Sequence, residues 1–384
     1  MVACPSCGEN IPEGMFCIRC GAPLGSERSD EGRPSHERSR FAAAPHEHLA
    51  VPRLISTLFP HLPRASLMGF RTALVIGAGV VAGLAALRLF PVALIAAALL
   101  VPVLVTIYLI DVDVYEDEPV WALSLTMGWG AVMGVAVGEL AIAIAPATAD
   151  VIRHGGSAYT VTGGVVVPLV GLGALLLGPL VLLRYHRFND VLDGVTFGTV
   201  AAAAFAGAES ITYSVHVLGA GLRPHGAVAP WIWRLLSLGV AMPILIMGSA
   251  ATICAALWLR YRAPVRDREA LGLLGHPAVA SLAGGALVVG GAIGETFLPA
   301  GAWLGWLVAF DLVALVLLRR SIHIGLLEEA AEIPIGAEFT CPNCGESTAR
   351  HTFCGRCGIS LQALPKSRPP SPVPSPGAPR EAGA

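Results

Sequence analysis

The chain has 384 residues, of which 54% are hydrophobic and 14% charged, with a formal net charge of −2. Soluble domains carry about 25% charged residues, so this composition excludes an ordinary soluble protein and points to a polytopic membrane protein. A near-neutral balance with Lys366 as the one lysine provides no basic field, and no nucleic-acid partner is expected.

The chain opens on Cys4-x2-Cys7-x9-Cys17-x2-Cys20, and the same spacing returns near its end as Cys341-x2-Cys344-x9-Cys354-x2-Cys357. The shared frame Cys-Pro-x-Cys-Gly-Glu … Phe-Cys-x-Arg-Cys-Gly-x-x-Leu marks an internal duplication. Two CxxC knuckles a short loop apart offer four thiolates to one tetrahedral Zn²⁺, so residues 1–24 and 338–361 are read as small Cys4 zinc ribbons. Four thiolates leave no coordination position for water, which makes both sites structural. Segments this short build no core of their own, and zinc binding worth about 10–16 kcal/mol would supply their folding free energy.

Residues 25–48, rich in Ser, Arg, Glu, His and Pro, read as a disordered linker in which His46, Glu47 and His48 are solvated. Residues 49–70 interleave Leu54, Ile55, Leu58, Phe59, Leu62 and Leu67 with Arg53 and Arg64 between prolines, the pattern of an interfacial segment. A membrane domain follows over residues 71–320. Its eight apolar runs each approach the roughly 20 residues a bilayer requires: 72–90, 91–110, 119–145, 161–183, 195–217, 231–259, 277–298 and 302–318. The fold class is therefore an all-α polytopic membrane protein of about eight transmembrane helices flanked by two ribbons. Residues 321–337 read as a linker and 362–384 as a disordered Pro-rich tail.

Orientation follows from arginine placement. With no secretory signal ahead of the first ribbon, the amino end is expected inside, which puts Arg64, Arg71, Arg184, Arg187, Arg260, Arg262, Arg266, Arg268, Arg319 and Arg320 on the cytoplasmic face. Arg88, Arg153 and Arg223 fall outside, with Arg234 at a span edge. An even number of spans returns the carboxyl end to the cytoplasm, so both ribbons share a reducing compartment, and the expected location is multi-pass in the plasma membrane.

Glu139, Glu209, Glu295 and Asp311 lie within apolar spans, where a charge costs about 2.5–3.5 kcal/mol on insertion scales. Each is expected to face the bundle interior, as a functional acid or as a hydrogen-bonded acid joining helices. The Asp111–Glu118 turn and the Asp190/Asp193/His186 loop read as solvated turns, and Cys254 as a small apolar packing residue.

Two stretches carry a resemblance to a known family. Asp111-x-x-x-Tyr115-Glu116-x-Glu118-Pro119, followed by Gly128-Trp129-Gly130-Ala131, resembles an acidic-Tyr-Glu-x-Glu-Pro turn and a Trp-Gly helix of the PrsW intramembrane proteases. Asp193-Gly194-x-x-x-Gly198, then Phe205-x-x-x-Glu209, is similar to that family's Asp-Gly-x-x-x-Gly turn and Phe-x-x-x-Glu motif, and Arg234 and Pro243 resemble its later Arg and Pro. The resemblance covers about residues 105–260. Members with a competent site carry Glu-Glu-x-x-Lys just after a proline corresponding to Pro168; here Gly171, Leu172 and Leu175 stand at those positions, and a later histidine is absent from Met242–Met247.

Water activation in a membrane needs a general base with partners or a metal. The candidate catalytic residues are Glu209, retained, and Glu139, which would have to substitute for the missing pair. The favoured reading is a non-catalytic scaffold or regulator that binds membrane lipid or a transmembrane segment, with the zinc ribbons and the tail recruiting cytoplasmic proteins. The alternatives are an active intramembrane peptidase rebuilt from Glu139, Glu209 and Glu295, and a proton- or cation-coupled transporter.

Overall fold

The computed structural model describes residues 1–4, 10–24, 68–111, 119–144, 160–218, 221–223, 227–262, 272–330, 335–359 and 361. The expected linker 25–48, most of the interfacial segment 49–70 and the whole tail 362–384 lie outside the described residues. Helices α1 (Met68–Ala86), α2 (Phe90–Asp111) and α3 (Val120–Ile144) come first. They are followed by α4 (Val167–Leu182), α5 (Val191–Leu218), α6 (Val228–Leu236), α7 (Met242–Tyr261), α8 (Pro277–Ile293) and α9 (Ala300–Ala330). A wide turn at Thr162–Val166 leads into α4, and a second, Ser237–Ala241, joins α6 to α7. Among the described residues, eight segments are long and apolar enough to cross a membrane, with α6 and α7 forming one of them. Backbone amides in hydrocarbon have no water to bond, so apolar runs of this length become helices that satisfy their hydrogen bonds internally.

Helix α5 is the axis of the bundle: 89% of an 18-residue apolar stretch within it is buried, against 6% of the corresponding stretch of α1. Its Ala- and Gly-rich sequence explains that position, because small side chains let neighbouring backbones approach. Gly130, Gly134 and Gly138 of α3 form a stripe against it. A side chain at Gly130 would run into the Ala201 carbonyl, one at Gly134 into the Phe205 carbonyl, and one at Gly138 would press on Thr212 at 3.1 Å. On the other side, Gly194 and Gly198 of α5 lie against the backbone of α7 at Cys254 and Ala250. Cys254 is fully buried there beside Phe197 and Trp258, a packing residue as expected. The Trp-Gly element divides its work between two neighbours: Trp129 Nε1 donates to the Ala174 carbonyl of α4 at 2.9 Å, while Gly130 faces α5.

Both wide turns are closed by an i→i+5 hydrogen bond, Val167 N to Thr162 O and Met242 N to Ser237 O. Each is followed at once by a proline, Pro168 or Pro243, at the start of the next helix. Proline has no N–H, so the turn widens instead of holding a regular ladder through that point.

The region expected as a linker from residue 321 begins as helix. Helix α9 continues to Ala330, and Ser321, Ile322, His323 and Ile324 are buried. Ile322 and Ile324 join the apolar cluster of α1, α2, α5 and α7, which favours extending the helix over ending it at Arg320.

The ribbons are two-stranded antiparallel hairpins, β1 (Val2–Ala3) with β2 (Asn10–Ile11) and β3 (Glu338–Thr340) with β4 (Ser347–Ala349). They pack on each other at one end of the bundle. Gly355 O accepts Met15 N at 2.8 Å and Phe16 N at 3.0 Å, and Phe353 N donates to Ile18 O at 2.8 Å. Gly14 permits this approach, since a Cβ there would sit 2.7 Å from Gly355 O.

Candidate functional site

Two kinds of site emerge, one at each level of the molecule. In the ribbons, the Sγ atoms of Cys341, Cys344, Cys354 and Cys357 lie within 4.8 Å of one another, as do those of Cys4, Cys17 and Cys20. Cys7 falls outside the described residues. Four sulfurs bound at about 2.3 Å to a tetrahedral ion stand about 3.8 Å apart. The separations are 4.0 Å for Cys341–Cys357, 3.9 Å for Cys344–Cys354 and 3.7 Å for Cys4–Cys20. Both groups thus have the spacing of a metal-ion cage.

The local chain is built for it. After each described CxxC knuckle comes a glycine in the left-handed region, Gly21 (φ 68°), Gly345 (φ 78°) and Gly358 (φ 71°). Each returns its N–H to the carbonyl of the knuckle's first cysteine, at 2.9, 2.8 and 2.9 Å respectively. An L side chain is strained at such φ, which is why Gly follows each pair. N–H groups also point at sulfur: Cys20 N at Cys17 Sγ, Arg356 N at Cys354 Sγ and Asn343 Nδ2 at Cys357 Sγ, each at 3.4 Å. Hydrogen bonds from Cys354 and Cys357 push the Cys341 thiol up, whereas those from Cys341 and Cys354 hold Cys357 down. Sulfurs this close compete for protons, and a divalent ion that displaces the protons relieves the competition.

Inside the bundle, a small cavity of ≈ 40 Å³ is lined by Glu209 and Phe205 of α5, Val137 of α3, Pro168, Gly171 and Leu172 of α4, Met242 and Ile246 of α7, and Val288 of α8. The volume admits about two or three waters and no side chain. The cavity sits where α4 and α7 begin after their wide turns, so Val167 and Met242, which close those turns, also line it. The positions where the sequence lacks its expected glutamates, Gly171 and Leu172, form its wall. Gly171 is filled from outside: a Cβ there would stand 3.0 Å from Phe205 Cζ and 3.3 Å from Val137 Cγ1. A carboxylate at position 171 would therefore have to displace the Phe205 ring.

Glu139 does not share this cavity. It lies two residues beyond the lining Val137, on the exposed side of α3, where its Oε1 is 3.2 Å from His216 Nε2. Two residues advance a helix by about 200°, which places the two side chains on nearly opposite faces. Glu295, in the short turn Gly294–Thr296 just past α8, is held by an ion pair with Arg234, whose Nη2 donates to Glu295 Oε1 at 3.3 Å. The Arg234 guanidinium also lies over the Tyr213 ring, 4.7 Å from its centroid, one helical turn beyond Glu209. Asp311 of α9 is buried, and its Oδ1 has no hydrogen-bond partner. Of the four intramembrane acids, only Glu209 lines the cavity. In the Asp190/Asp193 loop, Asp193 is buried and its Oδ2 accepts the Asp190 N–H at 3.0 Å, closing the first turn of α5.

The Arg234–Glu295–Tyr213 cluster was not anticipated from the sequence. The available signal was chemical: an arginine and a glutamate both within apolar spans each require a partner. Breaking a buried pair leaves an uncompensated charge at a cost of about 3–5 kcal/mol, whereas replacing both partners by apolar residues is close to neutral. With Glu295 partly exposed, Glu295→Leu should cost about 2–3 kcal/mol in thermal unfolding in detergent, and Arg234→Met/Glu295→Leu should recover most of it. A double variant no more stable than the single would show that the pair is not coupled.

Fold and site together define a polytopic helical membrane protein with, at one end, a pair of ribbons whose clustered cysteines could hold metal ions. Residues 118–282 match the family described as PrsW family intramembrane metalloprotease, and a domain of that family is present in the chain. Neither a curated protein nor a solved structure matches the chain. The family description implies a metal at the intramembrane site. The residues lining the cavity do not fit one: among the described residues it offers a single carboxylate, with Gly, Leu, Met, Ile, Phe, Val and Pro around it. A catalytic ion needs about three protein ligands and an open position.

Proposed function

We propose that this protein is a non-catalytic member of the PrsW architecture, a membrane scaffold or regulator whose ribbons each bind a structural zinc ion. The observation that carries the reading is the composition of the cavity wall. Peptide hydrolysis requires water held by a metal or by a base with an orienting partner, and Glu209 faces apolar side chains and a glycine. Supporting it, Phe205 and Val137 close over Gly171, so the space of the absent acid is occupied. Zinc is favoured for the ribbons because closed, all-sulfur tetrahedral cages suit a borderline-soft ion that needs no ligand-field preference.

In this reading the chain lies in the plasma membrane with both ribbons cytoplasmic, as the arginine distribution favours. Its ligand is a membrane lipid or an apolar transmembrane segment held against the lipid-facing surface of the bundle, since the cavity at Glu209 admits only water, and the ribbons and Pro-rich tail recruit cytoplasmic proteins. The test is cleavage of a panel of transmembrane peptides by the purified protein in proteoliposomes, with and without added zinc. No product is expected at any zinc concentration, and Glu209→Gln should match the wild type. Zinc-dependent cleavage lost in Glu209→Gln would overturn the proposal in favour of an active peptidase.

A further inference from the structure

The duplicated ribbons have diverged at one matching position. Phe16 and Phe353 each precede the third cysteine of their motif, yet Phe16 is half-buried, while Phe353 is fully buried. Phe353 belongs to the apolar cluster formed by Phe70 of α1, Tyr108 of α2, Val191 and Leu192 of α5, and Ile322 and Ile324 of α9. Its backbone N–H meanwhile binds Ile18 O of the first ribbon, and Ala349 of β4 packs against the first ribbon's buried group of Cys4, Ile11, Cys17 and Ile18. One residue thus has its side chain in the membrane domain, its backbone on the partner ribbon and its neighbour Cys354 in the metal cage.

We propose that the two ribbons bind zinc as one coupled unit, and that through Phe353 zinc occupancy sets the order of the ribbon-side ends of α5 and α9. This rests on the reading that the cysteine cages hold zinc. A ribbon without its ion has too small a core to fold. Unfolding either ribbon removes the hydrogen bonds at Gly355 and Ile18 that hold the other, so each ion stabilises the fold that binds its counterpart. Reciprocal coupling between two sites commonly amounts to a 5–150-fold change in affinity. Withdrawal of Phe353 opens the apolar cluster that holds Leu192, at the first turn of α5, and Ile322, in the last buried turns of α9. Since α5 also carries Phe205 and Glu209, zinc loading acts on the helix that forms the cavity.

The test uses the full chain in nanodiscs with three readouts: zinc content, zinc affinity by competition with a chromogenic chelator, and amide hydrogen exchange at residues 188–196 and 318–325. Wild type is expected to hold two zinc ions, and chelation should speed exchange in both segments by about tenfold or more. Cys4→Ser/Cys17→Ser should retain one zinc at about tenfold weaker affinity. Phe353→Ala should keep two zinc ions but exchange fast with or without chelator. Should that variant lose zinc, Phe353→Leu, which preserves an apolar group in the ribbon, replaces it in the same comparison. Unchanged affinity in the double serine variant, exchange indifferent to chelation, or full protection in the Phe353 variant would each overturn the coupling. A wild type without bound zinc would overturn the zinc reading as well, and metal content distinguishes that failure from the others.

Discussion

Gly134→Leu is expected to destabilise the membrane domain by about 3 kcal/mol or more, the upper range for overpacking a tight contact. The glycine faces the Phe205 carbonyl of α5 so closely that a Cβ has no place, and backbone, unlike a flexible side chain, cannot swing aside. The two helices would have to separate, and the Phe205 and Glu209 side of the cavity would move with α5. Thermal unfolding in detergent measures the effect. Gly128→Leu and Gly173→Leu supply the controls, because nothing lies within 4 Å of a Cβ at either position; both should stay within about 0.5 kcal/mol of wild type. Equal melting of Gly134→Leu and Gly128→Leu would show that the α3–α5 contact is not the tight one described here.

Cys354→Ser should empty the second ribbon's metal site and unfold that ribbon. Structural zinc supplies about 10–16 kcal/mol to domains of this size, far more than the few buried side chains of the ribbon provide. Zinc per chain, measured by elemental analysis, is expected to fall by at least one, and amide protection at Glu338–Thr340 and Ser347–Ala349 should vanish. Cys254→Ser, buried in the core of α7 and in neither cysteine group, should leave zinc content unchanged. Full zinc content and ribbon protection in Cys354→Ser would refute the cage.

How far the fold was legible depends on the range of the interaction that decides each element. The spans were readable because membrane crossing is a local property of roughly 20 consecutive residues. The cages were readable because a duplicated cysteine spacing specifies its own geometry. Residues 321–330 carry no local sign of helix beyond Arg320, because their polar and basic neighbours hide Ile322 and Ile324, whose burial depends on α1, α2 and α5 folding around them. Glu209 stands out in the sequence by its Phe-x-x-x-Glu frame, whereas Glu139 is marked only as an acid within an apolar run, and the sequence does not say whether the two meet. A helical rotation of Glu139 away from Val137 and a nearby His216 set them on different surfaces. Arg234 read as a span-edge charge, and only the approach of α8 gave it Glu295.

The amino-acid sequence by itself determined the apolar membrane segments and the duplicated cysteine spacing of the two ribbons, because each is written in hydrophobic length or residue spacing. The tertiary structure alone decided that Gly171 is occupied by its neighbours' side chains and that Glu209 lines the cavity without another acid. It also decided that the ribbons form one body seated on the membrane domain through Phe353. Those outcomes depend on side chains from separate helices meeting in the folded bundle, and no local pattern encodes which small residues will let two backbones close on each other.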